Sequence, residues 1–322
     1  MAQTVYIEAI NQALIEEMRR DESVYIMGED IRRAVYGATA HLLDQFGEKR
    51  VLDTPLSENG FFGAAIGSSL VGMRPVVETL ASFMWVAFDQ LVSQAAKMRY
   101  MFGGQAMLPV VFRATMYYGG GSAAHHSDRS YPMFMNMPGL KIIVPSNPAD
   151  VKGLLKTAIR DNDPCIVFED GTLFGSRGEV PEGEYTVPFG KARVARSGGD
   201  VTIVGIAGAV PMALRAAEEL EQEEGISAEV IDPRTLVPFD KHAVLESVEK
   251  TGRLVVVDPA HKVCSAASEI ASIVAEEGFW SLQAPIQKVA SQQVHIPYSP
   301  ALEKLVYPNP DKIKAAVKRT LE

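Results

Sequence analysis

The spacing of apolar residues along the first half of the chain predicts alternating helices and strands. After residue 5, Ile7, Ile10 and Leu14 recur at helical spacing, and the run SVYIMG from Ser23 is typical of a buried strand. Helical stretches follow near 60–72, 86–100 and 149–161, and between them lie four apolar runs that predict strands: RPVVETL, LPVVFRA, LKIIVPS and CIVFED. Short apolar strands between helices are typical of a parallel sheet covered on both faces.

The same alternation resumes after a stretch of different composition. Residues 171–200 are rich in Gly, Pro and charge and lack helical periodicity, and strands such as VTIVGIA and RLVVVDP then alternate with helices again. We therefore predict an α/β protein of two domains, each a mostly parallel sheet flanked by helices. The first domain spans 1–175, a linker 176–200, and a C-terminal domain 201–322.

Composition narrows the class of protein. The chain has 322 residues, of which 47% are hydrophobic and 22% charged. This composition excludes disordered and fibrous classes, and the length favours two domains. The 31 basic and 40 acidic side chains leave a formal charge of −9, and the sequence has no Lys/Arg stripe. We therefore exclude a nucleic-acid partner held by phosphate neutralisation.

The cysteines and the uncharged stretches bear on the compartment. Cys165 and Cys264 lie in apolar or small-residue settings, which predicts buried thiols and neither a metal-binding nor a disulfide framework. The longest uncharged stretch, Asn59 to Met73, has 15 residues, fewer than the roughly 18 of a membrane span. The start MAQTVYIEAINQ has no targeting leader. We expect a soluble cytoplasmic protein, or a mature form already processed.

Two stretches could carry acid–base chemistry. Glu58 falls in the first turn of a glycine-containing helix after a strand, where an acid is a favourable helix start and is equally well placed for proton transfer. His125 and His126 lie in the loop YYGGGSAAHHSDRS, beside Asp128 and Arg129. Adjacent histidines point in opposite directions and make a poor metal chelate. A solvated polar loop and a proton-transfer histidine remain open.

Other segments give weaker signals. No glycine-rich piece has the GxGxxG or GxxxxGK[ST] spacing of a nucleotide-phosphate site. The aromatic run SFMWVAFDQ, with Phe83, Trp85 and Phe88, is more typical of a core than of a cofactor platform. Seven of the thirteen methionines fall between Met98 and Met137, which predicts either irregular core packing or a subunit interface.

Taken in order, the segments resemble the β subunit of the thiamine diphosphate-dependent decarboxylating component of 2-oxo acid dehydrogenase complexes. The resemblance covers essentially the whole chain, and its carriers are EAINQALIEEM, GED, FGEKRVLDTPLSENGFFGAAIGSSLVGMRPVVE, FDQLVSQAAKMRYM, GLKIIVPSNPADVKGLL, AIRDNDP, IDPRTLVPFD, TGRLVVVD, IPYSPALEK and PNPDKI. It implies a transketolase-like fold, whose N-terminal domain binds the cofactor's aminopyrimidine and whose C-terminal domain serves assembly and partner docking.

The resemblance also implies roles for particular residues. Glu58, in the motif TPLSE, matches the glutamate that bonds to the pyrimidine nitrogen and exchanges a proton with it, and Leu56 matches a cofactor-binding position. Phe83 matches an aromatic ring against the aminopyrimidine, which replaces the core interpretation. His126 matches a loop histidine that donates a proton as the lipoyl disulfide opens. A monovalent cation such as K⁺ is implied at Val110, Ala158, Ile159, Asp161 and Asp163.

The family also implies partners. Diphosphate binding requires Mg²⁺ held by a GDG motif and a later asparagine pair, and this sequence has neither. An α subunit should therefore supply the diphosphate half of the site in an α2β2 heterotetramer, and a lipoyl-bearing acyltransferase should accept the acyl group. Two departures affect these contacts: HSDRS stands where relatives usually read HSQ, and Asn136 stands near a usual histidine position. DPAHKVCSAASE likewise replaces a glycine-richer docking segment.

Several functions remain open. The substrate is expected to be pyruvate or a branched-chain 2-oxo acid, or alternatively acetoin. A pyrimidine-half subunit of a split transketolase-type enzyme is a rival with a sugar acceptor. A non-catalytic scaffold that docks through its C-terminal domain is a second rival, and a nicotinamide dehydrogenase is disfavoured by the missing fingerprint.

Overall fold

The structure, a computed structural model, describes residues 2–117 and 120–322. These residues form two compact units. The first unit contains the described residues up to 117 together with 126–189, and the second contains 120–125 together with 190–322.

The first unit is built on a parallel sheet. Its strands are β1 (Ala2–Val5), β2 (Val24–Gly28), β3 (Val51–Asp53), β4 (Arg74–Leu80), β5 (Val111–Met116), β6 (Lys141–Ile143), β7 (Cys165–Asp170) and β8 (Arg177–Val180). Strands β2 to β7 pair in parallel in the order β6-β7-β5-β4-β2-β3. β1 and β8 form a separate antiparallel pair.

Helices cover this sheet and supply much of the core. They are α1 (Tyr6–Arg20), α2 (Leu42–Phe46), α3 (Glu58–Ser69), α4 (Ala96–Met101), α5 (Tyr131–Met135) and α6 (Pro148–Arg160). α1 buries Ile10, Leu14 and Met18, the apolar positions at helical spacing, in one cluster with residues of α6 and the strands. Asn147 caps α6 by accepting the Asp150 N–H at 2.9 Å.

The segment after β4 is less regular than the predicted helix at 86–100. Residues Ala81–Trp85, before the predicted stretch, form a 3-10 helix, and within the stretch Gln90–Ala95 form a π-helix that continues into α4. A π-turn accommodates a local irregularity that the apolar spacing does not reveal. Further 3-10 turns lie at Ile31–Arg33, Ala124–His126 and Gly171–Leu173.

The second unit repeats the α/β arrangement. Its strands are β9 (Arg193–Arg196), β10 (Val201–Gly205), β11 (Ala228–Asp232), β12 (Thr235–Val237), β13 (Leu254–His261) and β14 (Gln287–Ser291). Five of them form a sheet in the order β14-β13-β10-β11-β9, in which only β9 is antiparallel. The helices are α7 (Ala209–Glu224), α8 (Lys241–Thr251), α9 (Ala266–Glu277), α10 (Pro300–Val306) and α11 (Pro310–Arg319), with a 3-10 turn at Phe279–Ser281.

The boundary between the two units falls after residue 189, within the predicted linker 176–200. One sequence expectation needs correction. Cys165 is buried as predicted, but Cys264 is exposed; it lies in the loop between β13 and α9, with φ 50°. Among the described residues no helix is long and apolar enough to cross a membrane.

Candidate active site

The predicted catalytic residues follow neighbouring strands at one edge of the first sheet. Gly28, the last residue of β2, pairs with Asp53 of β3 and Glu78 of β4. The carboxyl ends of these strands therefore lie side by side. Loops at this edge of a parallel sheet are where ligands bind in open α/β folds.

Glu58 is the first residue of α3, which follows β3. Its side chain is buried, with 8% of the residue exposed, although an acid at a helix start commonly faces solvent. Ser57 precedes the helix without making a side-chain capping bond. A carboxylate at this largely buried position can accept hydrogen bonds from a bound ligand.

Glu29 is a site residue to which the sequence analysis gave no role. It follows the fully buried strand β2, and burial, followed by the charges of Glu58 and Asp30, raises its pKa from 4.5 to about 7. Glu29 Oε1 is buried without a hydrogen-bond partner among the described residues. The signal in the sequence was an acid directly after a buried strand, at the edge where Glu58 also lies.

The raised pKa of Glu29 predicts a pH-dependent stability. Between pH 4.5 and about 7 the unfolded chain loses the Glu29 proton while the folded chain keeps it, so this group makes the free energy of unfolding fall as pH rises. In Glu29→Gln that contribution is absent. Urea titrations from pH 5 to 8 should show the stability of E29Q, relative to wild type, rising up to about pH 7 and then levelling off. A difference independent of pH would contradict the pKa shift.

Phe83 and His126 come together at the same edge. Phe83 lies in the 3-10 helix after β4, and its ring meets the His126 ring edge-on, with centroids 5.4 Å apart and planes at 74°. Phe83 is half-buried, which suits a ring that one ligand face can cover. His125 is exposed, and Asn136 is exposed at the end of α5.

Leu56 lies in the loop before α3 and is 81% exposed. An apolar side chain that exposed gains stability when a ligand or a partner covers it. Leu56 is therefore accessible to a ligand or a partner, directly before Ser57 and the start of α3.

Buried polar atoms that have no hydrogen-bond partner among the described residues lie in the segments at this edge. Besides Glu29 Oε1, these are Thr54 Oγ1 after β3 and Ser127 Oγ directly after His126. Such atoms are rare in folded proteins and call for a partner. Together with the Glu58 carboxylate they fit a planar ligand that carries both donors and acceptors, as an aminopyrimidine does.

A buried ion cluster lies deeper in the same sheet. Arg113 of β5 binds Glu169 of β7 through Nε (2.7 Å) and Nη2 (2.8 Å), and also pairs with Glu78 of β4. All three are at most 3% exposed. Burial raises the pKa of Glu169 although Arg113 opposes the shift.

Two tyrosines lie close to this cluster. The Tyr36 and Tyr117 rings are 5.8 Å apart, and burial, together with the charge of Glu78, raises the pKa of both phenols. Both phenols therefore stay neutral near pH 7 and can donate hydrogen bonds.

The predicted cation site lies at the opposite, amino edge of the sheet. The carbonyls of Ile159 and Asp161 accept hydrogen bonds from Arg74 at 3.0 and 2.9 Å. Lys141 contacts the carboxylates of Asp161 (2.6 Å) and Asp163 (3.2 Å). Arg99 also pairs with the Asp163 carboxylate, so three protein cations already occupy this region. Among the described residues no group of three or more His, Cys, Asp or Glu could hold a metal ion.

Comparison with known proteins agrees with this architecture. Residues 2–176 match the family "Transketolase, pyrimidine binding domain", and residues 190–313 match "Transketolase, C-terminal domain". A solved structure, "Split gene transketolase, inactive beta4 tetramer", superposes with a TM-score of 0.81 at 25% identity and covers 98% of this chain and 97% of that one. Fold and site together define a two-domain transketolase-type chain.

Curated relatives identify the branch of this class. The acetoin:2,6-dichlorophenolindophenol oxidoreductase subunit beta of Cupriavidus necator is 49% identical, over 98% of this chain and 96% of the relative. The 2-oxoisovalerate dehydrogenase subunit beta of Bacillus subtilis is 45% identical, over 98% of both chains. The chain belongs to the family of β subunits of acetoin, pyruvate and branched-chain 2-oxo acid dehydrogenases. The predicted family and fold class are confirmed, and the family implies thiamine diphosphate as cofactor and an α subunit as partner.

Proposed function

We propose that this chain is the catalytic β subunit of a 2-oxo acid dehydrogenase, in which Glu58 binds the pyrimidine nitrogen of thiamine diphosphate. The observation that carries the proposal is the largely buried Glu58 at the carboxyl edge of the sheet, where burial and the charge of Glu58 raise the pKa of Glu29 to about 7. The bound cofactor supplies the nucleophilic carbon and the electron sink for decarboxylation of the 2-oxo acid.

The protein's part is to orient the ring and to move protons. Glu58 would hold the pyrimidine nitrogen and exchange a proton with it, and Glu29, whose pKa is raised to about 7, would replenish that proton. Phe83 and Leu56 would contact the ring of the cofactor. His126, beside Phe83, donates a proton to the lipoyl sulfur during acyl transfer to the second component.

The other half of the active site comes from an α subunit, which holds the diphosphate through Mg²⁺ in an α2β2 assembly. Support comes from the missing metal motif and from exposed apolar side chains in the Met-rich region. Tyr100 is 90% exposed, Met101 61% and Met107 57%, whereas Met116 is buried. Met116 therefore fits the core-packing interpretation, and the exposed residues suit a subunit interface.

The test is co-expression with the adjacent gene product as α subunit, followed by a substrate panel. Purified complex, thiamine diphosphate and Mg²⁺ are assayed with pyruvate, branched-chain 2-oxo acids and acetoin, using a dye or a lipoyl domain as acceptor. Acetoin is the second candidate, favoured by the 49% identity to an acetoin-oxidoreductase subunit. Activity only with sugar phosphates would instead indicate a split transketolase, and no activity would favour a scaffold.

The chain alone should bind the cofactor poorly. Because the diphosphate carries most of the cofactor's charge and its binding motif is missing here, we expect no tight binding without the α subunit, and stoichiometric tight binding with it. Isothermal titration calorimetry on the single chain and on the complex makes the comparison. Tight binding by the single chain would contradict the half-site arrangement.

We also propose K⁺ binding at Val110, Ala158, Ile159, Asp161 and Asp163. A carbonyl oxygen has two lone pairs, so the hydrogen bonds to these carbonyls leave an acceptor direction on each. K⁺ should then raise the unfolding temperature of the complex above that measured in tetramethylammonium at equal ionic strength. Equal unfolding temperatures would rule out the site and leave Arg74, Arg99 and Lys141 as the positive charges at these residues.

We place the enzyme in a reducing, cytoplasmic compartment. The proposal is supported by Cys165 and Cys264, which are both free thiols. Fractionation of the source cells, followed by immunodetection, tests it.

A further inference from the structure

Three hydrogen bonds hold the residues after His126 against the segment that carries Phe83. The Asp128 N–H donates to Ser82 Oγ at 3.1 Å, and the Ser130 hydroxyl donates to the Ala81 carbonyl at 3.0 Å. Trp85 Nε1 donates to Asp128 Oδ2 at 3.2 Å. We name Ala81, Ser82, Trp85, Asp128 and Ser130 the loop clasp.

The partners in this clasp are fixed in place. Ser82 is 6% and Ser130 1% exposed. The Trp85 ring stacks on buried Phe134, with centroids 6.1 Å apart and planes at 18°. This stacking fixes the orientation of the indole ring and therefore of its N–H donor. On the far side of the loop, Arg129 donates to the carbonyls of Tyr117 and, at 2.9 Å, Ser127. Through these contacts Asp128 and Arg129 stabilise the conformation of the loop.

The Trp85–Asp128 bond differs from the other two contacts of the clasp. It alone joins two side chains, whereas the others each use a backbone group of one segment. Its loss would leave the Ser82 and Ala81 bonds in place and free only the carboxylate end of the loop. His126 and Phe83, whose rings are in contact, lie in the two segments that the loop clasp joins.

We propose that Asp128 is a positioning residue that, through its hydrogen bond from Trp85, holds His126 at Phe83 for acyl transfer to the lipoyl acceptor. This inference rests on the proposed function of His126. Displacement of a proton donor by about an ångström is enough to slow a step strongly. Decarboxylation itself does not need His126 in this scheme, so the two steps should respond differently.

The test compares Asp128→Ala with Asp128→Asn in the α2β2 complex. D128A should slow acyl transfer to a lipoyl domain about tenfold and change the dye-linked rate by less than about twofold. D128N keeps an oxygen that accepts from Trp85 and should restore the transfer rate. Trp85→Phe keeps the stacked ring without the donor, so it should match D128A, and the double variant should lose nothing further.

Hydrogen exchange provides a readout independent of turnover. Amides of residues 126–135 should exchange faster in D128A and W85F than in wild type, D128N or the control Asp44→Ala, an exposed residue 3.6 Å from His41. An inactive wild-type complex would refute the proposed function while exchange still tests the clasp. An active wild type with undiminished transfer in D128A, or a D128N as slow as D128A, would refute the role of Asp128.

Discussion

Replacing Glu58 with glutamine should lower turnover of the α2β2 complex by on the order of 100- to 10,000-fold. Glutamine keeps the size of the side chain at the start of α3 but cannot exchange the proton that the pyrimidine nitrogen requires. Glu58 is largely buried, and its charge helps to raise the pKa of Glu29. We therefore expect a large loss in the rate and, through Glu29, a changed pH dependence of the stability.

The dye-linked assay measures this loss without involving the lipoyl step. Glu48→Gln is a matched control, because the Glu48 side chain is 78% exposed and 3.9 Å from Arg32, and it should retain the full rate. In Glu58→Gln the pKa of Glu29 should also fall from about 7, since burial remains but the neighbouring charge is gone. A variant that keeps more than about a tenth of the wild-type rate would exclude Glu58 as the proton carrier.

Strands were the easiest elements to predict from the sequence. RPVVETL and CIVFED coincide with β4 and β7 residue for residue, because a strand covered on both faces has a mostly apolar run that is distinct in the sequence. The helix after β4 was harder. Its apolar positions match a helical period, but the period does not distinguish an α-helix from a 3-10 turn followed by a π-helix.

The site was predictable where one residue carried the signal and not where several segments meet. Glu58 lies in a distinctive motif, whereas the pKa of Glu29 depends on its burial and on a carboxylate 29 positions away, so it emerges only on folding. Phe83 illustrates a different limit. An aromatic residue in an apolar run has the same pattern whether it fills a core or borders a site, and composition favoured the core.

Arg113 shows the same limit within a strand. The run LPVVFRA places an arginine among apolar residues, and nothing nearby in sequence neutralises it. Its partners lie 35 and 56 positions away, on the neighbouring strands β4 and β7. A buried charge is tolerated only with such partners. The pairing of β4, β5 and β7 therefore decides whether this residue stabilises the fold.

Replacing Arg113 with methionine should lower the free energy of unfolding of the first unit by about 3 to 5 kcal/mol. The cost comes less from the lost attraction than from the two carboxylates, Glu78 and Glu169, left buried without a counter-ion. The measurement uses a Trp280→Phe background, in which Trp85 is the remaining one of the two tryptophans. The fluorescence of Trp85 in urea then reports the unfolding of the first unit alone. Arg215→Met is the control: Arg215 is 72% exposed in its pair with Glu219 and should change stability little.

Neutralising the carboxylates separates the two sources of that cost. If orphaned charge dominates, adding Glu78→Gln and Glu169→Gln to Arg113→Met should recover at least about half of the loss, because amides are cheaper to bury than carboxylates. If lost packing and hydrogen bonding dominate, the triple variant should be no more stable than the single one. A loss below about 1 kcal/mol in Arg113→Met alone would show that both carboxylates take up protons when the arginine is removed.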